Sequence, residues 1–139
     1  MKTILVGYDQ TEPSERAFER ALELAKAFQA KLLITSVAPV MADAGTGRSM
    51  GGLDPTNTPD SHAAELKTAT DKATAAGVTA EPVRALGDAA EAIVKAAEEN
   101  HADLIVVGAR ERGWMQRMLD HSVSADVARH ARCDVLIVH

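Results

Sequence analysis

Aromatic residues are nearly absent from this chain: one tryptophan, one tyrosine and two phenylalanines in 139 residues. The core must therefore be built from Ala, Val, Leu and Ile. A single cysteine, Cys133, rules out a disulfide framework within the chain. Entering a strand beside Arg132, it reads as a small core residue. Fifteen Lys and Arg face twenty Asp and Glu, giving a formal net charge of −5. That balance argues against sequence-independent nucleic-acid binding, which needs a basic stripe. No apolar run reaches the roughly 18 residues of a membrane span, and no charged-then-apolar leader opens the chain. Neither membrane insertion nor secretion is expected, and a cytoplasmic location is. His62, His101, His121, His130 and His139 form no pair at i, i+3 or i+4, so no metal site is expected. Ser124, Asp126 and His130 have the letters of a catalytic triad without its strained G-x-S-x-G elbow, so hydrolase chemistry is not expected either.

What is present suits one globular domain over residues 1–139, with 46% hydrophobic and 25% charged residues. Short apolar runs of strand length recur at Thr3–Tyr8, Lys31–Val37, Asp103–Val107 and Val135–Val138. A weaker run at Thr79–Leu86 is interrupted by Pro82, which favours a sheet edge. Helical patterns lie between them. Thr11-Glu12-Pro13 opens the first as an N-cap with an acid and a proline behind it, and Ala17, Ala21, Leu24, Ala25 and Phe28 follow at helical spacing. Another runs from Ser61 to Ala76 and stops at Gly77. Asp88 caps a third, with Glu91 at the capping-box position and Ile93, Val94 and Ala97 on its apolar face. The last spans about Ser122 to Ala131. Residues 39–60, rich in Gly, Pro, Ser, Thr and Asp, read as a flexible insertion.

Wholly apolar strands alternating with amphipathic helices specify a parallel sheet covered on both faces. With right-handed crossovers, five strands and about four helices give a doubly wound, open α/β sheet. Ligands of such sheets bind beyond the carboxyl ends of the strands, where the strand order reverses. Gly7-Tyr8-Asp9 and Gly108-Ala109-Arg110 both follow strands on that side. The run Leu104-Ile105-Val106-Val107 ends in Gly108 and passes through Arg110, Glu111, Arg112 and Gly113 to His121-Ser122-Val123-Ser124. Amides at a helix start with guanidinium groups nearby suit a phosphate.

These segments together resemble the universal stress protein family over essentially the whole chain. The matching stretches are Ile4-Leu5-Val6-Gly7-Tyr8-Asp9 with Thr11, Ser14 and Ala17, then Gly87–Ile93, then Ala102–Arg110. Ser122-Val123-Ser124 leading to Cys133–Val138 completes the set. The resemblance implies strand order 3-2-1-4-5, a homodimer formed through the last strand, and adenine-nucleotide binding in one branch of the family. That branch carries G-x2-G-x9-G-[ST] after the fourth strand. Here Gly108 and Ser122 hold the first and last positions, while Glu111 and His121 replace the two inner glycines. Gln10 stands where many members have glycine.

On this resemblance the ligand is ATP or a related adenine nucleotide, with Mg as a companion ion. Asp9 would hold the nucleoside beside Gly7 and Tyr8, and Val37 the adenine edge. Val107 and Gly108 would let the backbone approach ribose or phosphate. Ser122, Val123 and Ser124 would meet the phosphates with Arg110. No lysine, base or metal-holding carboxylate is evidently aimed at a γ-phosphate, so the nucleotide reads as a regulatory ligand and any hydrolysis as slow. Plainer roles stand beside these. Asp9 can cap a turn, Ser122 a helix, and Arg110 and Arg112 can pair with Glu111. Tyr8 can be packing with a satisfied hydroxyl. Trp114, Met115, Met118 and Leu119 have the spacing to seal the core or a dimer surface. Glu111 and His121 favour two alternatives: a dimeric interaction module with a degraded pocket, and a sensor of AMP or cyclic AMP.

Overall fold

The computed structural model describes residues 1–38, 59–109 and 122–139. Strands β1 (Thr3–Gly7), β2 (Lys31–Ala38), β3 (Ala80–Leu86), β4 (Leu104–Gly108) and β5 (Asp134–Val138) alternate with four described helices. These are α1 (Glu12–Phe28), α2 (Pro59–Ala75), α3 (Ala89–Glu99) and α4 (Val123–His130). The strands form one parallel sheet, as their apolar patterns led us to expect, in the order β3-β2-β1-β4-β5 that the family resemblance implies. β3 lies at an edge, the position its Pro82 requires.

Successive residues of a strand face opposite sides, so strands covered on both faces must be apolar at every position. Ile4 and Val6 of β1, with Leu32 and Ile34 of β2, pack under α1 and α2 against Ala17, Phe18, Ala21, Leu66, Ala69 and Ala73. Leu5, Leu33, Ile105 and Val107 face the other way, onto Ala90, Ile93 and Ala97 of α3 and Val127 of α4. The helix starts expected from sequence are formed by side-chain caps. Thr11 accepts from the Ser14 amide, Asp88 from that of Glu91 and Ser122 from that of Ala125. Gly77 ends α2 with a φ of 87°, a conformation glycine adopts without strain.

One boundary differs. Residues 59 and 60, counted in the expected insertion, begin α2. A proline is as much at home in the first turn of a helix as in a loop, because its missing N–H has no partner there in any case. The rest of that insertion, residues 39–58, lies outside the described residues, as do Arg110, Glu111, Arg112, Gly113, Trp114, Met115, Met118, Leu119 and His121.

The end of the sheet opposite the carboxyl ends is fastened by Asp103. Its Oδ2 accepts from the Lys2 amide at 2.8 Å and the Thr3 amide at 2.9 Å, tying β1 to the entrance of β4. These backbone donors hold the Asp103 carboxyl below the usual aspartate range. A carboxyl depressed by folding stabilises the fold at higher pH, and that contribution is lost as pH falls below about 4. Asp103→Asn should therefore melt at a lower temperature than the wild type at neutral pH and show a flatter loss of stability on acidification. Melting curves from neutral to acid pH will show it; parallel acid limbs in the two proteins would remove Asp103 from the explanation.

Candidate functional site

The carboxyl ends of β1 and β4 lie side by side in the middle of the sheet, and β2 borders β1. The loops leaving them cannot close over one another, because β1 runs on to a helix on one face and β4 to a helix on the other. The result is a cleft of about 540 Å³ at the topological switch point. That volume is within the range of small-molecule sites. Eight of the ten residues expected at a ligand site line it: Gly7, Tyr8, Asp9, Val37, Val107, Gly108, Val123 and Ser124. Ser122 stands behind this lining. Its Oγ caps α4 and lies 2.9 Å from the Ser124 Oγ, so it holds the helix start rather than forming the wall. Arg110 lies outside the described residues.

The β1–α1 turn is built around Asp9. Its Oδ1 accepts from the Thr11 amide at 3.0 Å and from the Thr11 hydroxyl, while its own amide donates to Ser14 Oγ at 3.2 Å. Ser14 in turn donates to the Thr11 carbonyl at 2.9 Å. Gln10 sits between them with a φ of 63°, the left-handed region that glycine occupies most easily. Asp9 thus has the turn-capping role that its position allowed, and it also lines the cleft.

Tyr8 is packed as well as lining. Its ring meets Phe18 with centroids 5.6 Å apart, and its hydroxyl donates to Glu15 Oε1 at 2.6 Å. Burial, then the bond to Glu15 and the charges of Glu15, Glu65 and Asp9, push its phenol well above the ordinary tyrosine value. The phenol therefore stays protonated at physiological pH and acts as a donor.

On the β2 side Val37 was expected, but the α2 part of the wall was not. His62 and Glu65, one turn apart on α2, line the cleft. His62 Nδ1 is hydrogen-bonded to Ser36 Oγ and lies 3.5 Å from Glu65 Oε2. Ser36 Oγ lies 3.4 Å from the same carboxylate oxygen. The arrangement is not a catalytic relay. Serine and glutamate meet the same ring nitrogen, whereas a relay needs them on opposite nitrogens. Its one sequence signal was the i, i+3 pair His62 and Glu65 near a helix start. The partner Ser36 is 26 residues earlier, beyond any local pattern.

Thr35 also lines the cleft. Its Oγ1 is fully buried and has no hydrogen-bond partner among the described residues. A buried hydroxyl left unpaired costs about 1–3 kcal/mol. Opposite, the α4 start presents backbone amides behind Val123 and Ser124, suited to an anion. The cleft therefore pairs a helix start at β4 and α4 with a polar, carboxylate-bearing side at β2 and α2. Among the described residues no group of three His, Cys, Asp or Glu could hold a metal ion. No described helix is long and apolar enough to cross a membrane.

Comparison with known proteins agrees with this architecture. The model of the universal stress protein family matches residues 1–139. A Staphylococcus haemolyticus relative bearing that family's name is 35% identical over 142 aligned residues, covering 99% of this chain and 84% of its own length. A solved universal stress protein in complex with cAMP is 34% identical, with a TM-score of 0.75 and coverage of 99% of this chain and 97% of that one. A family member from Burkholderia pseudomallei is 32% identical, with a TM-score of 0.70 over 99% of this chain and 95% of that one.

Proposed function

The chain belongs to the universal stress protein family, and from that premise we propose that its cleft binds an adenine nucleotide as a regulatory ligand. The observation that carries the reading is that one cleft is lined by the start of α4 at Val123 and Ser124, by Asp9 and by Val37; in this reading they serve the phosphate, the nucleoside and the base. The charge-bearing end of the ligand belongs at the start of α4, whose first backbone amides suit an anion. Gly108 and Ser122 keep the outer positions of the family's nucleotide loop, which makes ATP, with Mg, the first ligand to try. Cyclic AMP is the second. The 34%-identical relative was solved with it, and one phosphate charge suits a cleft lined by the carboxylates of Asp9 and Glu65.

The protein acts in this reading as a cytoplasmic sensor in a stress response, not as an enzyme. The Ser36, His62 and Glu65 cluster lacks relay geometry, and the described cleft brings no lysine to the phosphate end. A homodimer through β5 belongs to the same reading. β5 ends the sheet with one neighbour, β4, and keeps Val135, Leu136, Ile137 and Val138 partly exposed.

Calorimetric titration with Mg-ATP, AMP and cyclic AMP tests the proposal. At least one should bind with a Kd of about 1–10 μM, or roughly −7 to −8 kcal/mol. If none gives heat or competes up to about 1 mM, the cleft is not a nucleotide site. The protein would then be an interaction module acting through its dimer face.

A further inference from the structure

The two ends of the cleft lie on different strands, and their separation assigns them to different parts of a nucleotide. Gly108 and α4 belong to the β4 side, while Ser36, His62 and Glu65 belong to the β2 side, with β1 between them. Two strand spacings are about 10 Å, the reach from a nucleotide's phosphate to the far edge of its base. A ligand with its phosphate on the α4 amides therefore brings its base to the α2 wall.

Of the groups at that wall, only the Glu65 carboxylate is purely an acceptor; the Ser36 and Thr35 hydroxyls and the His62 ring can donate as well as accept. Among the described residues, the hydrogen-bond and ion-pair contacts of Glu65 run through Oε2, to Ser36 Oγ and His62 Nδ1. Oε1 keeps its lone pairs, and a carboxylate can accept about four hydrogen bonds in all. The side chain is held in place as well as available, since it is only 13% exposed and is bracketed by Ser36 and His62. A partly buried carboxylate with acceptor capacity discriminates strongly. It rewards an N–H donor and repels a carbonyl oxygen placed at the same point.

We infer that Glu65, positioned by Ser36 and His62, is the residue that selects a 6-amino purine over a 6-oxo purine by accepting a hydrogen bond from the exocyclic amine. The inference rests on the nucleotide reading above and adds the base-selecting residue to it. His62 is a positioning residue here. Its Nδ1 bonds to Ser36 and approaches Glu65 Oε2, which fixes one carboxylate oxygen of a side chain that lines the cleft.

The test compares ligands that carry the same phosphate and differ at position 6 and in the N1 proton that a 6-oxo group brings: AMP against IMP, and cyclic AMP against cyclic IMP. The wild type should prefer the amino compound roughly tenfold or more, the usual size of a hydrogen bond to a charged group. Glu65→Gln should bring that ratio close to one, because the side-chain amide can donate to a 6-oxo group as readily as it accepts from an amine. A merely structural role would weaken both ligands alike and leave the ratio unchanged. Wild-type protein that binds IMP within twofold of AMP overturns the inference by itself, whatever becomes of the variant. An unchanged ratio in a folded Glu65→Gln protein overturns it too, while the nucleotide reading stands. Failure of the wild type to bind any of the four ligands removes the nucleotide reading and this inference with it.

Discussion

Gly108→Ala is expected to lower the melting temperature by roughly 10 °C, or about 3 kcal/mol at 3–4 °C per kcal/mol for a chain of this length. The cause is a collision. A Cβ on Gly108 would stand 2.4 Å from the carbonyl oxygen of Pro13, 2.5 Å from its carbonyl carbon and 2.8 Å from its Cβ. Two of those three atoms are backbone, in the first turn of a helix pinned to the sheet by the buried Ala17, Phe18 and Ala21. Neither β4 nor α1 can yield without opening the core between them. Gly7 is the natural control. A Cβ there would come no closer than 3.3 Å, to the tip of Ile93, so Gly7→Ala should cost far less. Thermal melts of the two variants decide the matter. If Gly108→Ala melts with the wild type but loses ligand affinity, the glycine serves ligand approach alone, as its place in the family's nucleotide loop implies.

That glycine shows what the sequence could and could not disclose. The position reads as special from the apolar run that ends on it, but the reason lies in Pro13, 95 residues earlier. The sheet was legible because burial on both faces leaves its mark on the buried stretches: Ile4–Val6, Leu32–Ile34 and Leu104–Val107 are wholly apolar, and the buried polar residues Thr35 and Ser36 come only toward the carboxyl end of β2. The helix starts were legible because caps are local; Thr11, Asp88 and Ser122 each satisfy an amide three residues on. The edge position of β3 could be read from Pro82 alone. The α2 wall of the cleft could not. His62 and Glu65 look like ordinary polar residues of a helix start, and they acquire meaning only when the crossover from β2 lays them against Ser36. Composition also misplaced the start of α2, since Pro59 counts toward a loop in any tally of prolines and toward a helix only by its position.

Asp9 carries the second large expected effect, and its two roles can be separated. In the turn it bonds to the Thr11 amide and hydroxyl; in the cleft it faces the nucleoside of the proposed ligand. Asp9→Ala should weaken nucleotide binding about 10- to 100-fold, since a hydrogen bond to a charged group contributes about 1.5–3 kcal/mol and each factor of ten is about 1.4. It should also destabilise the fold by about 1 kcal/mol through the lost turn bonds, comparable to losing a cap. Asp9→Asn separates these effects. The amide oxygen can still accept from Thr11, so stability should return nearly to that of the wild type. The missing charge leaves a weaker acceptor for ribose hydroxyls, so affinity should recover only in part. Calorimetry and melting curves on both variants give four numbers. If stability falls in Asp9→Ala while affinity holds, Asp9 is a turn residue and the nucleoside is held by another group. If both fall in Asp9→Ala and stability alone recovers in Asp9→Asn, the carboxylate both builds the β1–α1 turn and binds the ligand. That result would also explain why a turn with a non-glycine residue at a φ of 63° holds its shape, since Asp9 and Ser14 clasp it on either side of Gln10.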